Sequence, residues 1–314
     1  MNFLSNDKWT SEEIPDLEGK KVIVTGANSG LGFEASKMFA ANNAHVVMAC
    51  RSLEKGRKAR EEIEEDVEEA SLEVRKIDLA SLQSVKDFAE AYRANNSELH
   101  ILCNNAGVMA IPRDETEDGF EMQFGVNHLG HFALTGHLID ILRDTDGETR
   151  VVTQSSGLHE NGTMNFDDLM MEDEYNKWDA YAQSKLANVL FGYELDRKLE
   201  DEDVESVVCH PGYAATDLQY RGPIAEGSKT RYFLMKAMNT VVAQSARKGA
   251  LPLMYAATSE DAEGGMYIGP GGLANMRGYP VEQKSSEESY SKDAAKALWT
   301  RSEALTDIEF EIGE

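Results

Sequence analysis

Directly after a short apolar run, the chain reads Thr25-Gly26-Ala27-Asn28-Ser29-Gly30-Leu31-Gly32 and then continues in a helical pattern. Glycines at this spacing permit a tight turn, a close approach of the backbone to a phosphate, and close packing of the next helix on the strand. The N-terminus of that helix favours negative charge. A glycine-rich turn between the first strand and the first helix therefore predicts a site for a dinucleotide pyrophosphate.

Outward from this turn, short apolar runs alternate with longer amphipathic stretches. Most of the runs are nearly continuous in Val, Ile, Leu and Met, as expected for strands that are buried on both faces. Strands that alternate with helices favour right-handed βαβ units. We therefore predict an α/β fold in a single domain, a doubly wound parallel sheet (Rossmann fold) of about seven strands, near residues 22–25, 45–49, 72–77, 100–103, 150–153, 206–209 and 266–268.

The predicted dinucleotide-binding domain covers residues 16–280, after an N-terminal extension at 1–15 and before a C-terminal helical tail at 281–314. Between residues 212 and 244 the alternation stops, and a mixed apolar segment follows several glycines. Long irregular segments of compact domains are often binding loops. Residues 213–242 are therefore a candidate substrate lid.

The composition predicts a cytoplasmic protein. Apolar residues make up 41% of the chain, enough for one core, but no run of 18 apolar residues occurs and no signal sequence is evident, so we expect no membrane anchor. Cys50, Cys103 and Cys209 are far apart and lie in or beside apolar runs, which is typical of buried thiols in a reducing compartment. Their spacing predicts no metal site.

The acidity of the chain is unusual, with 56 acidic against 31 basic residues and a net charge of −25. Such a surface repels nucleic acid and anionic lipid, so neither is an expected partner. It also repels itself, and salt at about 1 M screens charges beyond roughly 3 Å. One hypothesis is therefore a halophilic protein, whose melting temperature should rise with KCl; an unchanged melting temperature would contradict it, and an ordinary acidic enzyme is the alternative.

Several motifs together resemble the short-chain dehydrogenase/reductase superfamily, and within it the retinol dehydrogenase-like and WW-domain-oxidoreductase-like group. The resemblance covers nearly the whole chain. The glycines are spaced G-x-x-x-G-x-G rather than G-x-G-x-x-G. The other matching stretches are Trp9-Thr10-x-x-x-Ile14-Pro15, Val47-Met48-Ala49-Cys50-Arg51, Ser155-Ser156, Tyr181-x-x-x-Lys185-Leu-Ala-Asn188-Val-Leu-Phe191 and His210-Pro211-Gly212.

Tyr181 and Lys185 form the central candidate pair, because their spacing puts both side chains on one face of a helix. A nearby ammonium is expected to lower the pKa of a phenol toward the range useful for acid–base catalysis. Ser156 follows the fifth strand and could hold a carbonyl oxygen beside Tyr181; Ser155 is the competitor, and the family pattern favours Ser156. The resemblance adds Asn127 as the fourth catalytic residue, which would hold a water for proton relay.

The end of the second strand favours NADP(H) over NAD(H), which stays possible. An acidic residue here would bind the ribose 2′-hydroxyl of NAD, but the chain has Arg51 and Ser52, which suit a 2′-phosphate. By resemblance, Asp78 holds the adenine, although on residue type it could equally be a helix N-cap, a role for which Ser81 competes. The full set of candidate cofactor residues is Gly26, Asn28, Ser29, Gly30, Leu31, Gly32, Arg51, Ser52, Asp78, Leu79, Asn105, Ala106, Gly107, Tyr181, Lys185, Pro211, Gly212 and Thr216.

The resemblance implies an oxidoreductase that moves hydride between NADP(H) and a ketone or aldehyde, or the corresponding alcohol. Aromatic and Met residues in the candidate lid suggest an apolar small-molecule substrate. A non-enzymatic NADP-binding sensor and a light-dependent porphyrin reductase are the alternatives. Predicted helices at 116–143 and 181–200 could pair across a two-fold axis in a homo-oligomer, as in much of the family.

Overall fold

The computed structural model of the chain describes residues 8–213 and 244–312. Its strands are β1 Lys21–Thr25, β2 His45–Cys50, β3 Leu72–Lys76, β4 Ile101–Asn104, β5 Thr149–Gln154, β6 Val204–Cys209, β7 Tyr267–Pro270 and β8 Pro280–Gln283. The helices of the first half are α1 Gly30–Ala41, α2 Leu53–Asp66, α3 Leu82–Asn95, α4 Met122–Phe124, α5 Gly130–Arg143 and α6 Lys177–Lys198. Further along the chain, helices span Ala246–Gly249, Leu251–Thr258 and Lys292–Thr306.

The strands form one sheet in the order β3-β2-β1-β4-β5-β6-β7-β8, which confirms the doubly wound fold. All neighbours pair in parallel except β7 and β8, which are antiparallel, with Pro270 opposite Pro280. The expected strand count of about seven is therefore too low by one. The predicted boundary after residue 280 cuts through the strand that the sequence analysis missed.

The central strands are buried on both faces, as their composition predicts. In β1, Val22 and Val24 pack into one apolar cluster with Phe39 of α1, whereas Ile23 packs into a second cluster with Phe88 of α3 on the other face. Side chains alternate across a strand, so a continuous apolar run supplies both layers at once. The carboxyl ends of the parallel strands consequently meet at one edge, where a doubly wound sheet binds its ligand.

The predicted helix at 116–143 is wrong over its first six residues, 116–121. Glu115 and Glu121 instead form an antiparallel bridge around a turn in which Gly119 has a φ of 84°. The Glu121 carboxylate then accepts a hydrogen bond from the amide of Phe124 at 2.7 Å and caps the helix that follows. A π-helical turn, Gly125–Leu129, separates α4 from α5. Such turns are frequent at functional sites.

The chain itself covers the helices that were expected to pair in an oligomer. On α6, every residue from 180 to 195 is buried. Trp299 of the C-terminal helix stacks on Phe191 at 5.8 Å between ring centroids, and Phe310 lies 4.9 Å from Phe132 of α5. Pairing of these helices in a homo-oligomer stays a prediction. None of the described helices is both long and apolar enough to cross a membrane.

Candidate active site

A cleft runs along the carboxyl edge of the central strands. The turns after β1, β2, β3 and β4 form its walls, and Met122 and Val126 approach from the other side. The lining residues that the sequence analysis had selected are Gly26, Asn28, Ser29, Gly30, Leu31, Gly32, Arg51, Ser52, Asp78, Leu79, Asn105, Ala106 and Gly107. Residues from four separate turns therefore meet in one depression.

The glycine-rich turn has the backbone that its sequence requires. Gly26 and Gly30 have φ values of 69° and 58°, in the left-handed region that favours glycine. A Cβ at Gly32 would lie 2.5 Å from the carbonyl oxygen of Gly26, so only glycine lets α1 start this close to the turn. Ser29, the N-cap of α1, makes no side-chain cap bond to the first turn of the helix. The glycine-rich turn and the backbone amides at the N-terminus of α1 fit a bound pyrophosphate.

At the end of β2, the cleft is lined by Arg51, Ser52 and Lys55. Ser52 is the N-cap of α2, and its hydroxyl oxygen accepts a hydrogen bond from the amide of Lys55 at 3.3 Å. Lys55 is not among the residues predicted from the sequence, although its position in the first turn of α2 is a signal that it projects toward the same strand end. Arg51 and Lys55 thus place two cationic side chains in the cleft next to the N-terminus of α2, and this fits an anionic group.

The structure separates the two roles that had been open for Asp78. Its carboxylate accepts a hydrogen bond from the amide of Ala80 at 3.1 Å, and the residue lines the cleft. Ser81 is the N-cap of α3, and its hydroxyl accepts the amide of Ser84. Asp78 is therefore a cleft residue and does not cap the helix.

The turn after β4 is tied to the end of β1. The hydroxyl oxygen of Thr25 accepts hydrogen bonds from the amides of Asn105 and Ala106 at 2.9 and 3.0 Å, and the Asn105 side chain donates to the Thr25 carbonyl at 2.7 Å. Residue types alone did not single out Thr25 as an anchor. These bonds hold the two walls of the cleft together.

Tyr181 lies at the start of α6 with only 4% of its surface exposed. Burial raises the pKa of Tyr181 to about 12, and a hydrogen bond with the Ser156 hydroxyl opposes this rise. The Lys185 ammonium is 6.0 Å from the centre of the tyrosine ring. The expectation that the ammonium lowers the pKa of the phenol is therefore wrong for the protein alone, because burial dominates.

The structure distinguishes the two serines that follow β5. The Ser156 hydroxyl lowers the pKa of Tyr181, against the effect of burial, and accepts the amide of Leu158 at 3.2 Å. Ser155 is buried, and its hydroxyl donates to the backbone carbonyl of Lys185 at 2.8 Å. Ser156 is thus the serine next to the candidate acid, whereas Ser155 anchors α6 to the sheet.

Lys185 lies one helical turn beyond Tyr181 and connects it to the cleft. Its ammonium donates to the carbonyl of Gln154 at 3.0 Å. Burial lowers the pKa of Lys185 to about 8. A Cβ at Gly107, which lines the cleft, would lie 3.7 Å from the Lys185 nitrogen and 3.0 Å from the Asn127 oxygen. Gly107 therefore lies directly against the Asn127 and Lys185 side chains, and a side chain at this position would crowd the Asn127 oxygen.

Asn127 is fully buried in the π-helical turn. Its side-chain oxygen accepts the amide of Val108 at 2.8 Å, and its side-chain nitrogen donates to the Val108 carbonyl and to the Ser184 hydroxyl. The side chain thus joins the segment after β4 to α6. The neighbouring histidines, 128 and 131, are both buried.

The turn after β6 carries the last group of predicted cofactor residues. Gly212 has a φ of 63°, and a Cβ there would lie 2.4 Å from the carbonyl oxygen of Met276. The Gln244 side chain donates to the carbonyl of Pro211 at 2.8 Å. Thr216 and the candidate lid beyond Tyr213 lie outside the described residues.

Comparisons with known proteins identify the family. The family model described as short chain dehydrogenase matches residues 20–223. Human retinol dehydrogenase 12 is 41% identical over 247 residues, which cover 79% of this chain and 76% of that protein. Human retinol dehydrogenase 13 is 38% identical and covers 93% of this chain and 86% of its own length. The WW domain-containing oxidoreductase of Gallus gallus is 39% identical over 92% of this chain and 69% of its own.

Solved structures share the fold. An uncharacterised protein of Mycobacterium paratuberculosis superposes with a TM-score of 0.79 at 37% identity, over 97% of this chain and 99% of its own. A short chain dehydrogenase of Shigella flexneri, solved with NADP, has a TM-score of 0.61 at 20% identity, over 81% of this chain and 98% of its own, which shows likeness of fold. By the family match and the identity to its relatives, this chain belongs to the short-chain dehydrogenase/reductase family, in its retinol dehydrogenase-like group, and is an oxidoreductase of the dehydrogenase class.

Proposed function

We propose that this dehydrogenase transfers hydride between NADP(H) and a ketone or aldehyde, or the corresponding alcohol, with Tyr181 as the acid–base group. The observation that carries the proposal is the buried Tyr181 phenol, whose pKa the Ser156 hydroxyl lowers against the effect of burial, with Lys185 one turn away beside the cleft. Oxidation of NADPH in the presence of a panel of aldehydes and ketones that includes retinaldehyde tests it. Turnover that depends on a carbonyl compound supports the proposal, and a panel without any turnover contradicts it.

The residues of the cleft support a dinucleotide along its length. The glycine-rich turn and the N-terminus of α1 would hold the pyrophosphate, Asp78 would face the adenine, and Lys185 would contact the nicotinamide ribose. When bound, the nicotinamide supplies or accepts the hydride. The turn at Pro211 and Gly212 would border the nicotinamide end. It follows β6, which is the neighbour of β5 in the sheet, at the same carboxyl edge.

Side chains of the protein would supply the proton that the reduced carbonyl oxygen requires. Tyr181 carries its proton at neutral pH because burial raises its pKa to about 12, so it can donate to the oxygen of a carbonyl substrate. Ser156 can donate a second hydrogen bond to the same oxygen. The cationic Lys185 would stabilise the negative charge that develops on the phenol oxygen. Asn127 would hold the segment after β4 against α6 through its bonds to Val108 and Ser184.

Carbonyl reduction is expected to slow as the pH rises through the pKa of Lys185, about 8, because the side chain is cationic below this value and neutral above it. Tyr181 stays protonated over the same range. The measurement is kcat against pH, with the melting temperature followed in parallel to exclude unfolding. A Lys185→Met variant should be slow and should lack this basic limb, and a wild-type profile that stays flat through pH 8 would refute the role of Lys185.

The preference for NADP(H) is proposed from Arg51, Ser52 and Lys55, which line the cleft after β2. Arg51→Asp should raise the KM for NADPH by about 10- to 100-fold, the effect of losing a charge-assisted hydrogen bond. The KM for NADH should change little or fall. Arg57→Asp is the matched control, because it makes the same change of charge at an exposed position of α2 that does not line the cleft. Equal effects of the two variants on both cofactors would overturn the assignment.

An apolar substrate is proposed from the surface next to the catalytic pair. Leu158 lies two residues after Ser156 and is 37% exposed, and Trp178 lies three residues before Tyr181 and is 46% exposed. Large apolar side chains that stay exposed beside polar groups are typical of ligand sites. The retinol for which two of the relatives are named is itself an apolar alcohol. Among the panel, long-chain aldehydes and retinaldehyde should therefore have lower KM values than short polar ones.

A further inference from the structure

Buried histidines connect the segment of Ser156 to the C-terminal part of the chain. His159 lies in the 3₁₀ turn Gly157–Asn161, directly after Ser156, and is fully buried. We infer that His159 is a positioning residue for Ser156, and that residues 283–286 hold His159 in place, so that this C-terminal segment is part of the active-site scaffold. The inference rests on the proposed function, in which Ser156 binds the substrate oxygen.

Both ring nitrogens of His159 are engaged, and their partners define the tautomer. The amide of Ser286 donates to Nε2 at 3.0 Å, so Nε2 carries no proton. Nδ1 lies 2.8 Å from the carbonyl oxygen of Ser156, which can only accept, so Nδ1 carries the proton and donates it. Burial lowers the pKa of His159, which favours this neutral form. The ring is therefore a bridge between two backbone groups that are 130 residues apart in sequence, Ser156 and Ser286.

A second histidine extends the same connection to the turn after β6. His210 bonds to the side-chain oxygen of Gln283 through Nε2 at 3.0 Å, and its Nδ1 accepts the amide of Gly212 at 3.3 Å. Tyr267 lies between the two histidines: its ring stacks on His210 at 5.2 Å, and its hydroxyl oxygen lies 3.2 Å from Nδ1 of His159. The other ionisable neighbour of His159 is Glu160, next to it in the chain.

The consequence is that residues 283–286 brace both loops that flank the proposed nicotinamide end. One loop carries Ser156, and the other carries Pro211 and Gly212. Each loop leaves the sheet at its carboxyl edge, and the Ser156 carbonyl, which also accepts the backbone amide of His159 at 3.0 Å, gains a second, long-range bond from the ring. A displacement of a catalytic group by about 1 Å can lower a rate 100-fold, so a brace on the carbonyl of Ser156 bears directly on kcat.

Ser286 permits a test at a single backbone hydrogen. Its φ of −64° suits proline, but proline lacks the N–H that His159 accepts and places a ring carbon in that position. Its hydroxyl has no hydrogen-bond partner among the described residues. Ser286→Pro therefore breaks the bridge, and Ser286→Ala keeps it and removes only the free hydroxyl. The two variants form a matched pair.

The first readout is hydrogen–deuterium exchange of the peptide that spans residues 155–162 in the protein without cofactor or substrate. Ser286→Pro should speed exchange in this peptide by about tenfold or more, as expected when a buried hydrogen bond is lost. Ser286→Ala should leave it unchanged. Equal exchange in both variants would overturn the bridge, whatever the activity of the enzyme.

The second readout uses His159 itself, with NADPH and retinaldehyde as the probes. His159→Phe should lower kcat by about 10- to 100-fold with a much smaller change in KM. His159→Asn can still donate to the Ser156 carbonyl but cannot reach Ser286, so it should recover part of kcat. His100→Asn is the control: His100 is also buried and bonds a backbone amide, that of Lys21, but it lies at the opposite edge of the sheet and should leave kcat unchanged.

The results separate this inference from the proposed function. If the wild-type protein reduces retinaldehyde and His159→Phe does so at the same kcat, the positioning role is refuted and the proposed function stands. If the wild-type protein shows no turnover but Ser286→Pro accelerates exchange at residues 155–162 and Ser286→Ala does not, the bridge stands and the proposed function fails.

Discussion

Replacement of Tyr181 by Phe is expected to lower kcat for carbonyl reduction by about 10²- to 10⁴-fold, the usual contribution of a placed general acid. The phenol is buried, protonated at neutral pH and close enough to the Ser156 hydroxyl for that group to lower its pKa. The change removes a single oxygen atom and leaves the ring in place. Steady-state kinetics with NADPH and the best carbonyl substrate of the panel provide the measurement.

The control for Tyr181→Phe is the same substitution at Tyr92. The Tyr92 ring is fully buried in the core, and its hydroxyl donates to the carbonyl of Glu98 at 2.8 Å, away from the cleft. Tyr92→Phe should cost about 1 kcal/mol of unfolding free energy and leave kcat unchanged. Retention of more than about a tenth of wild-type kcat by Tyr181→Phe would contradict its role as the general acid.

Ser156→Ala is expected to lower kcat by about 10²- to 10³-fold, as for loss of one donor to a developing oxyanion. The variant also removes the hydrogen bond that opposes the rise in the pKa of Tyr181. The apparent pKa of Tyr181 should therefore rise further, which is the direction that burial alone favours. Initial rates and the binding constant for NADPH separate these effects, since the serine lies outside the lining of the cofactor cleft.

The neighbouring Ser155 provides a matched comparison one residue away. Ser155→Ala loses a hydrogen bond to the carbonyl of Lys185 and should reduce stability by about 1 kcal/mol. Its effect on kcat should be much smaller than that of Ser156→Ala. If Ser155→Ala were the more damaging variant, the assignment of the two serines would be reversed.

Local chemistry and period were sufficient to predict the fold. The left-handed backbone of the turn requires glycine. Burial of a strand on both faces requires a continuous apolar run. Both requirements can therefore be recognised from residue types. The strand β8 could not be recognised in this way, because it begins with proline, contains the charged Glu282 and forms the antiparallel edge of the sheet. The bridge between Glu115 and Glu121 could not be predicted from residue types either, because glutamate is common in helices.

The candidate site was predictable where its residues follow strands and not where they come from distant segments. Lys55 and Thr25 act through turn and cap geometry that residue types do not reveal. The connection of His159 to Ser286 joins parts of the chain that are 127 residues apart. The pKa of Tyr181 was misjudged because the sequence shows the neighbouring lysine but not the degree of burial, and burial has the larger effect.

Isotope transfer tests directly whether hydride moves between the nicotinamide and a carbonyl carbon with Tyr181 as the proton donor. The test uses NADPH that carries deuterium at both positions of C4 of the nicotinamide, with retinaldehyde as the acceptor, and mass spectrometry of the alcohol formed. We expect the wild-type protein to place deuterium on the former carbonyl carbon, and Tyr181→Phe to give at most about a hundredth of this product in the same time. Alcohol without deuterium at that carbon, or equal labelling by the two proteins, would contradict it.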